Sequence, residues 1–353
     1  MNTLATVRPQ SLNYYCVANT FTGHGRVAIE FATHLMLRGI QLNWFPLCYG
    51  ERDENIIPQC FKDQFQQKVI GPGFMWASYD HTVDPNWNGS LRYIVHETER
   101  IPRAAIDMYR KTNRALATPT KWNYEVLRRS GWKGRIHVVP HGISSMFKYS
   151  PPTISPFVFG CAVRYGSTAA RRKNIEQLIR CFQVAFPHTH DDSIQLHIKS
   201  FPDDYEIDAK GDHRIKIVRE FMSQERYMEW LKKITVYVNI SSGEGWCMPV
   251  HEALAVGRPA ITPFHGGLTE YVNDRCCYLI PYRRRKPMTG FYKGQMMIEC
   301  VSSYVIEAMR HCVTNIQDVI VKGVAGTQRA HMYSWNTAGT KLFNALISEG
   351  LIK

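Results

Sequence analysis

Two glutamates, Glu244 and Glu252, bracket the start of an apolar stretch in Ser241-Ser242-Gly243-Glu244-Gly245-Trp246-Cys247-Met248-Pro249-Val250-His251-Glu252. An apolar strand ends here in a small, glycine-rich loop, and a helix starts near Met248 with Pro249 in its first turn, where a missing N–H costs nothing. The free backbone N–H groups of such a helix start form an anion site suited to a diphosphate. With Glu244 in the loop and Glu252 about one turn into the helix, both carboxylates can reach one ligand lying over the helix start. Carboxylates accept hydrogen bonds from sugar and ribose hydroxyls, so the implied ligand is a phosphorylated sugar or nucleotide. The competing reading is an ordinary strand-loop-helix crossover whose glutamate favours the helix dipole.

Such a loop needs a sheet behind it, and the flanking sequence supplies one. Apolar runs predict strands over 157–163, 194–198, 215–218, 236–240 and 259–262. Helical spacing predicts helices over 175–186, 223–232 and 248–256. The first half shows the same alternation: strands over 12–18, 42–47, 92–96, 115–118 and 136–139, and helices over 27–37, 103–111 and 122–129. The turn Thr22-Gly23-His24-Gly25 follows the first strand, and Gly23 and Gly25 would let its backbone approach a sugar or acceptor closely. Between the halves, Lys148-Tyr149-Ser150-Pro151-Pro152-Thr153-Ile154-Ser155-Pro156 reads as a stiff linker. The expected fold is α/β with two Rossmann-like domains, 1–150 and 151–335, and a last helix in 336–353 that crosses back to the first domain.

A hydrophobic share of 44% against 21% charged residues excludes a disordered chain. No apolar run approaches the roughly 18 residues of a membrane span, and the polar start Met1-Asn2-Thr3 lacks a signal-peptide layout. Ten scattered cysteines without a Cys-x-x-Cys pair fit reduced thiols, so the expected location is cytoplasmic, peripheral to the membrane if it docks there. The formal charge of +13 points to anionic partners.

The stretch 241–259 resembles the Glu-x7-Glu signature of the retaining glycosyltransferases of the GT-B fold, the family 4-like group that includes bacterial mannosyl- and glucosyltransferases. Val138-Val139-Pro140-His141-Gly142-Ile143 is similar to the family's Pro-Asn-Gly-Val segment, with His141 where asparagine is common. Ile261-Thr262-Pro263-Phe264-His265-Gly266-Gly267-Leu268-Thr269-Glu270 resembles its later glycine pair and glutamate. His96-Glu97-Thr98-Glu99-Arg100-Ile101-Pro102 looks like its acidic-Thr-x-x-x-Pro segment. The resemblance spans roughly residues 12 to 335 and implies a GT-B enzyme whose two domains face a cleft. It implies a UDP- or GDP-sugar donor and retention of anomeric configuration. Glu244 would sit at the sugar, Glu252 at the ribose, and Gly245, Trp246, Cys247 and Met248 along the donor. Arg164 and Lys173 would hold the diphosphate, with Arg171 or Arg172 sharing the role because the spacing is longer than usual. His96 would lie near the transferred sugar.

No Asp-x-Asp triplet occurs, so no metal and no cofactor beyond the donor co-substrate is expected, and His188-Thr189-His190-Asp191-Asp192 is read as a polar loop. The basic clusters Arg128-Arg129, Arg171-Arg172-Lys173 and Arg283-Arg284-Arg285-Lys286 suggest a polyanionic acceptor: lipid-linked glycans on an anionic membrane, or a hydroxylated DNA base of a phage. Tyr282 to Lys286 is expected to form a solvated loop. No obligate protein partner is inferred. The alternatives are a GT-B sugar-nucleotide epimerase and a non-catalytic nucleic-acid-binding protein.

Overall fold

The computed structural model describes residues 10–19, 22–47, 57–76, 88–166, 168–187, 192–287 and 292–353. The first sheet takes strands β1 (Gln10–Val17), β2 (Ile40–Leu47), β3 (Phe74–Trp76), β4 (Ser90–Tyr93), β5 (Asn113–Thr118) and β6 (Arg135–Val138). They pair in the order β2-β1-β3-β4-β5-β6, every pair parallel. Helix α1 (Gly23–Met36) joins β1 to β2, and the single turn α2 (Gln59–Lys62) precedes β3. Helices α3 (Arg103–Thr112) and α4 (Lys121–Arg129) flank β5. Thr22 caps α1 by accepting a hydrogen bond from Gly25 N at 3.0 Å, and Val27, Ala28, Phe31, Ala32 and Leu35 form its buried stripe.

The second sheet takes β7 (Phe157–Ala162), β8 (Ile194–Ser200), β9 (Ile215–Arg219), β10 (Val236–Val238), β11 (Ala260–Thr262) and β12 (Cys277–Leu279), again all parallel, in the order β12-β11-β10-β7-β8-β9. Its helices are α5 (Ile175–Ala185), α6 (Gln224–Lys232) and α7 (Met248–Ala255). In each sheet the chain runs to one side of an early strand and then crosses to the other. Those reversals lie at β1/β3 and β7/β10, and they open crevices at the carboxyl ends of the strands, where ligands of α/β folds bind.

Tyr282 to Arg285 corrects the loop expectation: it is strand β13, paired antiparallel with β14 (Met297–Cys300). All four β13 side chains are exposed, so the charges stay in solvent while the backbone pairs. The sequence reading also missed the three-residue β3 and the helices α8 (Ser302–Thr314) and α9 (Ile316–His331).

Two devices tie the halves together. Arg258, fully buried, donates to the carbonyls of Ser150 at 2.6 Å, Val256 at 2.8 Å and Lys232 at 2.9 Å, pinning the linker to the second domain. The last helix, α10 (Trp335–Ser348), lies on α1: Trp335 meets Phe31 edge-on with centroids 5.9 Å apart, and Arg38 donates to Thr340 Oγ1 at 2.6 Å. One apolar core runs from β1 and α1 through Trp246, Met248 and Leu254 to Trp335 and Leu342, without a break at the domain boundary.

Candidate active site

Both crevices open into one cavity of about 440 Å³ between the sheets, a size that accommodates a small-molecule ligand. The first domain contributes Gly23, His24 and Arg26 at the start of α1, Trp76 at the end of β3, Val95 and Glu97 after β4, and His141. The second contributes Arg164 after β7, Arg172 and Lys173 from a 3-10 turn (Thr168–Lys173), Lys199 at the end of β8, and the loop from Glu244 to Pro249.

Lys173 Nζ stands 2.5 Å from Oε1 of Glu244, and Arg172 Nη1 donates to the same oxygen at 2.9 Å. Arg172 reaches across the cleft with Nη2, 3.1 Å from Glu97 Oε1, and Tyr292 donates to Glu97 Oε2 at 2.9 Å. Burial alone would push the Glu244 carboxyl up, but Lys173 and then Arg172 outweigh it and hold the group at about 2. Burial lowers Arg172, yet Glu244 and Glu97 together raise it above its ordinary value. Glu244 is therefore an anion at any pH of interest, with two cations within reach of the same space.

The two domain backbones touch at this loop. A Cβ on Gly243 would lie 2.1 Å from Glu97 O, and one on Gly245 would lie 2.3 Å from Val95 Cγ1, so only glycine permits the approach. Asn123 of α4 clamps the junction by donating to Gly245 O at 3.0 Å and accepting from His96 N at 2.9 Å. Behind it, Trp246 packs among His141, Tyr271, His251 and Tyr333. His141 is buried, and among the described residues neither ring nitrogen has a hydrogen-bond partner. Burial lowers it well below an ordinary histidine, and His24 and His251 push the same way, so its ring is neutral.

The structure thus brings Glu244, Arg172, Lys173, Gly245, Trp246, Cys247, Met248 and Gly23 to one cavity. Arg164 lines the same cavity, but its guanidinium is forked onto Asp203 at 2.6 and 2.9 Å and lies 3.1 Å from Asp204. Three other candidates stand apart. Gly25 does not line the cavity; it is pressed against Asn19, whose carbonyl oxygen would be 2.0 Å from an added Cβ. His96 is buried away from the cavity, with Nε2 donating to Arg100 O at 3.0 Å and lying 2.6 Å from Thr98 Oγ1, while its neighbours Val95 and Glu97 face the ligand space. Glu252 is wholly buried one helical turn beyond Met248, and Oε1 is 2.7 Å from Arg26 Nη1 of α1. Burial raises its carboxyl, partly offset by Arg26.

Sequence reasoning missed Glu97, Tyr292, Asn123, His24 and Lys199. For Glu97 the signal is adjacent, one residue past His96. The polar loop at 188–192 lies outside the described residues except Asp192. Of the basic clusters, Arg172 and Lys173 turn inward, and Arg128 donates to Trp132 O and Gly134 O. Among the described residues no helix is long and apolar enough to cross a membrane, and no group of three or more His, Cys, Asp or Glu could hold a metal ion.

Residues 158–288 match the family model described as glycosyl transferases group 1. A search of curated protein sequences returns no match. Among solved structures the chain is similar to sucrose-phosphate synthase from Thermosynechococcus elongatus, with TM-score 0.69 and 14% identity over 96% of this chain and 99% of that one. It is similar to a glycosyltransferase from Rickettsia africae, with TM-score 0.64 and 11% identity over 97% and 99% of the two chains. A third likeness is Alr3699/HepE from Anabaena, solved with UDP and glucose, with TM-score 0.63 and 12% identity over 97% and 100%. What is shared at these identities is the architecture: two parallel six-stranded sheets with covering helices, the GT-B fold.

Proposed function

We propose that this protein is a glycosyltransferase that moves a hexose from a UDP- or GDP-sugar to an acceptor with retention of anomeric configuration. The observation that carries the reading is the Glu244 cluster: a permanently ionised carboxylate and two cations sharing one cavity with the open start of a helix. A carboxylate fixed in place accepts from sugar hydroxyls, while Lys173, Arg172 and the start of α7 stabilise the charge that develops on a departing diphosphate. That phosphate can itself take the acceptor proton, so a separate base and a metal are not needed. Group 1 glycosyl transferases as the match over the second domain, and a similar fold solved with UDP and glucose, support the same donor class.

Glu252 reaches a ribose only when Arg26 yields it, so donor binding competes with this ion pair. The test is steady-state kinetics with a donor chosen by a thermal-shift screen of UDP-, GDP- and ADP-sugars. Glu252→Ala weakens donor binding and Lys173→Ala mainly lowers turnover; unchanged kinetics in both variants would sink the assignment.

For the acceptor we propose a polyanion that docks on the exposed arginine row Arg283, Arg284 and Arg285 of β13, whose side chains alternate between the faces of the strand and of which Arg284 donates to Glu99 Oε1 at 2.9 Å and Arg285 to Glu299 Oε1 at 3.2 Å. Lipid-linked glycans in anionic vesicles are the expected acceptors, with hydroxymethylated DNA as the comparison arm. Efficient transfer to a small neutral saccharide alone would show the row to be ordinary solvated surface.

A further inference from the structure

Five cationic side chains among the described residues line the cavity, and four are matched by carboxylates: Arg26 by Glu252, Arg164 by Asp203, Arg172 by Glu97 and Glu244, and Lys173 by Glu244. Lys199 is the fifth. It sits near the end of β8, only 6% exposed, and its ammonium lies 3.4 Å over the centre of the Phe201 ring. Among the described residues no carboxylate pairs with it and no group accepts a hydrogen bond from Nζ. Ring quadrupole attraction partly offsets the burial of the stem, and the three N–H donors have no partner among the described residues and are left to the cavity.

We propose that Lys199 is a phosphate anchor of the donor site, the cation that takes an anionic oxygen of the nucleoside diphosphate without first surrendering a protein carboxylate. The inference rests on the nucleotide-sugar reading and adds to it a residue that no motif marks. An anion arriving at Arg164, Arg172 or Lys173 must share or displace a carboxylate already in contact, so little is gained at once. At Lys199 it meets a largely buried positive charge that no carboxylate contacts among the described residues, so a charge-assisted hydrogen bond forms without first breaking an ion pair.

The surroundings make this anchor sensitive to pH. Burial pushes the ammonium down to about 8, Arg26 and Arg164 push the same way, and Asp204 and Glu220 oppose them. Glu252 also lies in its field. A bound phosphate raises the ammonium again, so binding above pH 8 takes up a proton. Affinity then falls about tenfold per pH unit until the bound form itself titrates.

Isothermal titration calorimetry of UDP and of GDP, at pH 7.5, 8.5 and 9.5 and in two buffers of different ionisation enthalpy, tests the anchor on the full chain. Wild type should show proton uptake at pH 8.5 and weaker binding at pH 9.5. Lys199→Met should bind roughly ten- to a hundredfold more weakly at pH 7.5, the scale of a hydrogen bond to a charged group, and should lose the pH dependence. Lys199→Arg, which does not titrate in this range, should keep the affinity and lose the proton uptake. Wild-type affinity and a wild-type pH profile in Lys199→Met would overturn the anchor while leaving the donor class intact. If wild type binds neither nucleotide, the functional reading falls and the anchor with it.

Discussion

Replacing Glu244 by glutamine keeps its shape and removes the charge that Lys173 and Arg172 share. The carboxyl moves from an ordinary 4.5 to about 2 in the folded chain. At 1.36 kcal/mol per unit, that difference is about 3 kcal/mol of folding stability at neutral pH. Because the folded value is the lower one, the contribution is complete above the unfolded value near 4.5. It is lost as pH falls toward 2, with less than half left at pH 3. Equilibrium urea unfolding followed by tryptophan fluorescence should show Glu244→Gln less stable than wild type by about 3 kcal/mol at pH 7. The gap should narrow steadily between pH 4.5 and 3. A variant as stable as wild type at pH 7, or a gap that ignores pH, would refute the claim that these cations are what hold Glu244 ionised.

Arg26→Met leaves the buried Glu252 without its ion-pair partner and should cost about 3–5 kcal/mol, most of it recovered by adding Glu252→Leu; a double-mutant cycle in urea checks the pairing. Gly243→Ala puts a methyl group into Glu97 O and should destabilise by about 1–3 kcal/mol while opening the cleft, seen as a larger radius of gyration in X-ray scattering. Arg258→Met strips donors from the carbonyls of Ser150, Val256 and Lys232 and should cost about 3 kcal/mol or more by thermal unfolding, whereas a neutral result would mean that water replaces the guanidinium.

Much of the fold was legible because both sheets are parallel and buried on both faces. Strands such as β7 and helices such as α5 then stand out as apolar blocks and stripes, and alternation between them is itself the signature of the class. What escaped has physical reasons. β3 is three residues long, and β13 is four exposed residues, three of them arginines, whose pairing satisfies the backbone alone. Side-chain chemistry was legible where charge and local chain geometry coincide, as at Glu244, Arg172 and Lys173. It failed where a partner comes from far along the chain. Nothing near His96 announces that its ring folds back on Arg100 O, and nothing near Glu252 announces Arg26. Lys199 reads as one more lysine because its distinction, an ammonium that no carboxylate contacts among the described residues, is created only by folding.

The position of α10 sets an order on how this chain is built. Trp335, Ala338, Leu342, Ala345 and Leu346 belong to the same core as Val27 and Phe31, yet they leave the ribosome after the entire second domain. During synthesis the α1 face therefore waits with apolar surface uncovered, and the second domain can close its own sheet first. The half of the protein made first is the half finished last, so a chain cut short before α10 would leave the first domain, and not the second, with an uncovered face.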